Sequence, residues 1–251
     1  MGQLDGKISL VTGATRGIGK AIAIALGREG SNLVIAGRSV DQLKEVEKTI
    51  LAFGVKVEAV PTDVTDEKQI VNLFDKTMKR FGRLDVLVNN AGVFGGSPIE
   101  TMTTDAWDRV IATDLRAPFI CTREAFKIMR KQGGGRIINV ASISAFRVRP
   151  NNAPYSAAKS GLIGLTETTA LEGRPLGINC SCIYPGEVEH EPNPNMPMPT
   201  PPPNMANMPK MPAMTTSECA AAVVFMASQP SHVNVLSLVI LPREQPYLGR
   251  G

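Results

Sequence analysis

The sequence predicts a doubly wound α/β fold, with about seven parallel strands in one sheet and helices on both faces. Three observations point there. Short runs rich in Val, Ile and Leu alternate with longer helical patterns from residue 8 onward, the order that builds a parallel sheet. Gly54 and Gly82 stand where helical patterns must stop. Aromatic residues make up only 5% of a chain that is 43% hydrophobic, so aliphatic side chains must fill the core, as suits strands buried on both faces. At 251 residues, the length allows one large domain or two small ones.

The first strand, 8–11, stops at Thr12-Gly13-Ala14-Thr15-Arg16-Gly17-Ile18-Gly19, and Ile18, Ile22, Ala25 and Leu26 then follow a helical pattern. Strand, glycine-rich turn and helix start are the context a phosphate-binding loop needs. Glycines admit a pyrophosphate to the backbone N–H groups, and the helix dipole favours the anion. A second strand, 32–36, ends in Gly37-Arg38-Ser39. In dinucleotide-binding folds, an acid at this point selects a free ribose 2′-hydroxyl. Here there is no acid, and Arg38 is joined by Arg16 from the first turn. Guanidinium groups fork onto phosphate oxygens, so the expected cofactor is NADP rather than NAD.

Ser39 and Gln42 resemble a capping box that opens a helix to residue 53. A strand at 55–60, a helix at 66–81 and a buried strand at 84–88 follow, the last running into Asn89-Asn90-Ala91-Gly92. A helical stretch covers 103–131, with a break expected near Pro118. After a strand at 136–141 comes a helix at 153–171 that carries Tyr155-Ser156-Ala157-Ala158-Lys159. Residues four apart share a helix face, so the Tyr155 phenol and the Lys159 ammonium stand together. A phenol titrates near 10, at about the reference value; a cation beside it is expected to favour the phenolate and equip it for proton transfer. A helix at 217–228 and a strand at 233–241 complete the pattern.

These motifs, in this order, resemble the classical short-chain dehydrogenase/reductase family, well from Leu4 to about Pro185 and less well beyond. The resemblance implies one Rossmann-like domain. It implies Tyr155 as general acid/base, Lys159 as the group that lowers its pKa and holds the nicotinamide ribose, and Ser142 as the hydrogen-bond partner of the substrate oxygen. Asp114 stands where the family usually has an asparagine, and its carboxylate is expected to draw Lys159 towards itself, giving impaired or pH-shifted activity. Cofactor contacts are implied at Gly13, Thr15, Arg16, Gly17, Ile18, Gly19, Arg38, Asp63, Val64, Asn89, Ala91, Gly92, Tyr155, Lys159, Pro185, Gly186 and Val188, with Asp63 at the adenine and Asn89 lining the cleft. The reaction implied is hydride transfer between NADP(H) and a ketone or aldehyde and its alcohol. A 3-oxoacyl thioester reductase and a catalytically weak NADP-binding sensor are the alternatives.

Two segments depart from the family. His190 replaces a common threonine and is expected at the surface. Residues 191–214 are dense in proline and methionine at the position of the usual helical lid, and an extended loop with polyproline character is expected. The net charge of +4 is dispersed, without a basic stripe that would indicate nucleic acid. Arg147 and Arg149 read as solvated loop charges. Four cysteines without metal-ligand spacing, and no apolar run long enough to span a bilayer, predict no metal, no membrane and a cytoplasmic address. A homo-oligomer, dimer or tetramer, is expected.

Overall fold

The computed structural model describes residues 2–189 and 212–247. Seven strands form one sheet: β1 (Ile8–Thr12), β2 (Asn32–Gly37), β3 (Val57–Pro61), β4 (Val86–Asn89), β5 (Gly135–Val140), β6 (Ile178–Pro185) and β7 (Ser237–Ile240). Their order is β3-β2-β1-β4-β5-β6-β7, and every pairing is parallel. The helices between them are α1 (Gly17–Arg28), α2 (Val40–Leu51), α3 (Glu67–Phe81), α4 (Thr104–Ile111), α5 (Ala117–Gln132), α6 (Ala153–Gly173) and α7 (Thr216–Ala227).

Strand residues alternate between two cores. Val11, Leu33 and Ile35 pack with Ile22, Leu26, Val46 and Val223 of α1, α2 and α7. Leu10 and Val34 point the other way, to Ile70 and Leu73 of α3 and Ile120 and Met129 of α5. Both faces are covered, which is why the strands read as unbroken apolar runs. No helix among the described residues is long and apolar enough to cross a membrane.

Several boundaries differ from expectation. The Ser39 side chain accepts the Gln42 N–H at 3.4 Å, but α2 ends at Leu51, where Phe53 and Gly54 turn back onto the carbonyls of Ile50 and Leu51. Strand β3 starts at Val57 rather than residue 55, and β7 is confined to Ser237–Ile240. The break in the long helix precedes Pro118: residues Ala112–Arg116 form a π turn in which the Ala117 N–H reaches back to the Ala112 carbonyl. Pro118 has no N–H for the Asp114 carbonyl, so the ladder widens on its N-terminal side while the helix continues. His190 and residues 191–211, with most of the proline- and methionine-rich stretch, lie outside the described residues; at its end, Met214 bridges to Val188.

Candidate active site

The strand order reverses between β1 and β4, and ligands of open α/β sheets bind outside the carboxyl ends of the strands at such a point. Here, the two strand ends are tied by hydrogen bonds. Thr12 Oγ1 donates to the Val88 carbonyl at 3.4 Å and accepts the N–H groups of Asn90 and Ala91 at 3.0 and 3.1 Å. The Asn90 amide donates to the carbonyls of Thr12 and Gly13 at 3.0 and 3.2 Å. Gly13 has φ +66, and a Cβ there would lie 2.8 Å from the Ala91 Cα. Helix α1 starts at Gly17 with no side chain capping it, which leaves first-turn N–H groups for an anion.

A cavity of about 730 Å³ opens from this loop. It is lined by Gly13, Thr15, Arg16, Gly17, Ile18, Gly19, Arg38, Asp63, Val64, Ala91 and Gly92, and also by Asp114, Ser142, Tyr155, Lys159, Pro185, Gly186 and Val188. The glycine loop and the tyrosine–lysine pair thus share one space. Asp63 is held at the rim, its Oδ1 accepting the Thr65 N–H and hydroxyl at 2.9 and 2.8 Å.

Asn89 is the exception. It is buried beneath the cleft, donating to Asn139 Oδ1 at 2.8 Å and to Thr122 Oγ1 at 3.2 Å. Side chains alternate along a strand, so Asn89 shares the Leu87 face, which packs on α5, and the next residue, Asn90, lines the cleft. Strand parity was the sequence signal that could have found this.

Helix α6 presents Tyr155 and Lys159 as its period requires. Lys159 Nζ lies 5.4 Å from the Tyr155 ring centroid, donates to the Val140 carbonyl at 3.1 Å and pairs with Asp114 Oδ2 at 3.2 Å. The expected draw of Asp114 on Lys159 is therefore present. Burial alone would pull the Lys159 ammonium down, but Asp114 and Tyr155 hold it above the usual lysine range. Burial pushes the Asp114 carboxyl up, against the pull of Lys159 and the Val93 N–H.

Lys159 pulls the Tyr155 phenol down, as expected, but not far enough to offset burial. Burial pushes it up; Lys159, a hydrogen bond with Ser142 and Arg149 pull it down, while Asp114 opposes them, and it stays above the ordinary phenol value. Only 7% of Tyr155 is exposed, and Phe94 stacks on it with ring centroids 4.5 Å apart. Ser142 caps a short turn after β5, accepting the Ser144 N–H at 3.1 Å, and lines the cavity.

Sequence reasoning missed three supports. Phe94 covers the phenol from a loop without regular pattern. Arg149, expected as a solvated loop charge, lines the cavity and pairs with Glu187 at 3.3 Å. Gln245 reaches from the tail to accept the Glu187 N–H at 2.8 Å, and Tyr247 accepts from Arg147, so the described part of the tail packs on its own chain. No local signal marked these contacts.

Residues 7–197 match the family model described as short chain dehydrogenase. The chain is 40% identical over 183 residues to the uncharacterized oxidoreductase YxjF of Bacillus subtilis, covering 73% of this chain and 71% of that one. It is 39% identical over 187 residues to the 3-oxoacyl-(acyl-carrier-protein) reductase of Synechocystis, covering 74% and 76%. Among solved structures, a metagenomic short-chain oxidoreductase in complex with NADP superposes with a TM-score of 0.82 at 31% identity, over 97% of this chain and 100% of that one.

Proposed function

Because this chain belongs to the short-chain dehydrogenase family, and is thus an oxidoreductase that uses a nicotinamide cofactor, we propose that it interconverts a ketone or aldehyde and an alcohol with NADP(H). The observation that carries this reading is the single cavity lined by both the glycine loop and Ser142, Tyr155 and Lys159. The loop fits a dinucleotide: Gly13 and Gly19 have no room for a side chain, and α1 begins uncapped beside them. The nicotinamide, when bound, supplies or accepts the hydride.

In the direction of reduction, Tyr155 gives its phenolic proton to the carbonyl oxygen, and in oxidation it takes the proton back. The Ser142 hydroxyl hydrogen-bonds the same oxygen and holds it within reach of the phenol. Lys159, fixed by the Val140 carbonyl, steadies the phenolate and holds the nicotinamide ribose. Phe94 and the walls of the cleft keep water from the phenol.

Arg38 is exposed and Arg16 is half-buried, and both line the cavity, which supports a 2′-phosphate and hence NADP. Arg38→Asp is expected to raise KM for NADPH by about tenfold or more, the worth of a charge-assisted hydrogen bond, while KM for NADH changes little. Equal KM shifts for both cofactors would remove Arg38 from the phosphate site.

A panel of ketones, aldehydes and 3-oxoacyl thioesters, assayed by nicotinamide absorbance, tests the reaction. Turnover of simple carbonyls supports the proposal. Cofactor binding without turnover across the panel indicates the sensor instead. The 3-oxoacyl thioester reading draws on the Synechocystis relative and on Arg149 in the cavity wall. Pairing of Arg149 with Glu187 favours an uncharged substrate.

The parallel edge strand β7 exposes Val239, Leu236 just before it is also exposed, and Ile99 and Val148 are 72% and 70% exposed. Open edges and apolar surface of this kind are normally covered. They support a homo-oligomer, and light scattering is expected to give a dimer or tetramer; a monomer at assay concentration would refute it. Four buried free thiols support a reducing, cytoplasmic location.

A further inference from the structure

Asp114 lies in the π turn with no exposed surface, between the loop after β4 and helix α6. Its Oδ1 accepts the Val93 N–H at 2.8 Å, and its Oδ2 stands 3.2 Å from Lys159 Nζ. Oδ1 thus accepts a hydrogen bond and Oδ2 forms an ion pair with the ammonium; both contacts favour the carboxylate, which burial opposes.

A lone Lys159 would act on Tyr155 as a full positive charge, and a charge within about 4–6 Å moves a phenol strongly towards its anion. Paired at 3.2 Å, Lys159 and Asp114 act on it as a dipole, whose field falls off faster. The remaining groups do not restore the balance. Arg149, on the loop after β5, is paired with Glu187 at 3.3 Å. The Cys182 thiol of β6 is buried and pushed up, so it stays neutral. Ser142 carries no charge. Phe94 closes the ring face against water.

We propose that Asp114 is a positioning residue that sets the pH dependence of the site: it holds Lys159 and offsets part of its field, so that Tyr155 keeps its proton to higher pH and phenolate-dependent alcohol oxidation moves to alkaline pH. This rests on Tyr155 being the acid/base of the reaction proposed above.

Asp114→Asn keeps the size and an acceptor for Val93 while removing the charge. The limb of kcat/KM for alcohol oxidation that reports Tyr155 is expected to move about one pH unit towards acid. At one unit below the wild-type limb, the phenolate fraction, and oxidation with it, then rises about fivefold. A limb that stays in place overturns the proposal; a merely structural role would lower rates without moving it. If the variant does not fold, Asp114→Ser is taken through ultraviolet phenolate titration beside the wild-type protein, with Tyr155→Phe as the blank. Tyr155 ionisation at lower pH than in the wild type supports the proposal, and unchanged ionisation overturns it. The titration needs no substrate, so its failure is distinct from failure of the carbonyl panel to turn over.

Discussion

Tyr155→Phe is expected to lower turnover by about 10²–10⁴-fold, the usual contribution of a positioned general acid, while cofactor affinity stays within about twofold of wild type by the same reasoning. The substitution removes one hydroxyl. The ring keeps its stack on Phe94 at 4.5 Å, and Lys159 keeps its hydrogen bond to Val140 and its pairing with Asp114. The cradle formed by Gly13, Asn90 and the start of α1 is untouched. What disappears is the hydroxyl proposed to take the alcohol's proton as hydride leaves. Nicotinamide absorbance measures turnover, and quenching of the single tryptophan on cofactor titration measures binding. Unchanged turnover in the variant would refute Tyr155 as acid/base, and with it the reaction proposed for this cleft.

Gly19→Ala is expected to abolish measurable cofactor binding and to lower thermal stability. A Cβ at this position overlaps the Gly13 carbonyl and the Asn90 side-chain amide. The first is backbone and the second is locked by its bonds to the Thr12 and Gly13 carbonyls, so neither can swing aside. Forcing a methyl group into packed surroundings costs about 1–3 kcal/mol. For a chain of this length, each kcal/mol lowers Tm by roughly 2–4 °C. The loop that would shift is the one proposed to bind phosphate, so affinity is expected to fall more steeply than stability. Calorimetry and cofactor titration on the same sample separate the two effects. A variant that binds cofactor normally would show that the loop has slack and that the close contact does not govern binding.

Much of the fold was legible because its signals are local. A helix repeats its face within four residues, so Tyr155 and Lys159 could be paired on paper. Gly82 could be placed as a helix stop, and it adopts φ +71 after α3. Strand parity would also have separated Asn89 from Asn90, since Asn89 follows Leu87 to the buried face; reading the Asn89-Asn90-Ala91-Gly92 motif as a unit obscured that. The break near Pro118 was visible because a proline lacks the N–H that the Asp114 carbonyl would accept, although a widened π turn in a continuing helix was not expected.

By itself, the sequence determined the alternation of strands and helices, the glycine loop ahead of α1 and the shared face of Tyr155 and Lys159. Each follows from backbone preferences and periodicity among near neighbours. Only the tertiary structure decided that Asp114 meets Lys159 and that Phe94 covers Tyr155. It also decided that the phenol is raised rather than lowered in the protein alone. Those outcomes arise from burial and from charges on segments far apart in the chain. Both act through space with a strength set by distance and solvent exclusion, and neither quantity exists until the sheet and its helices have assembled.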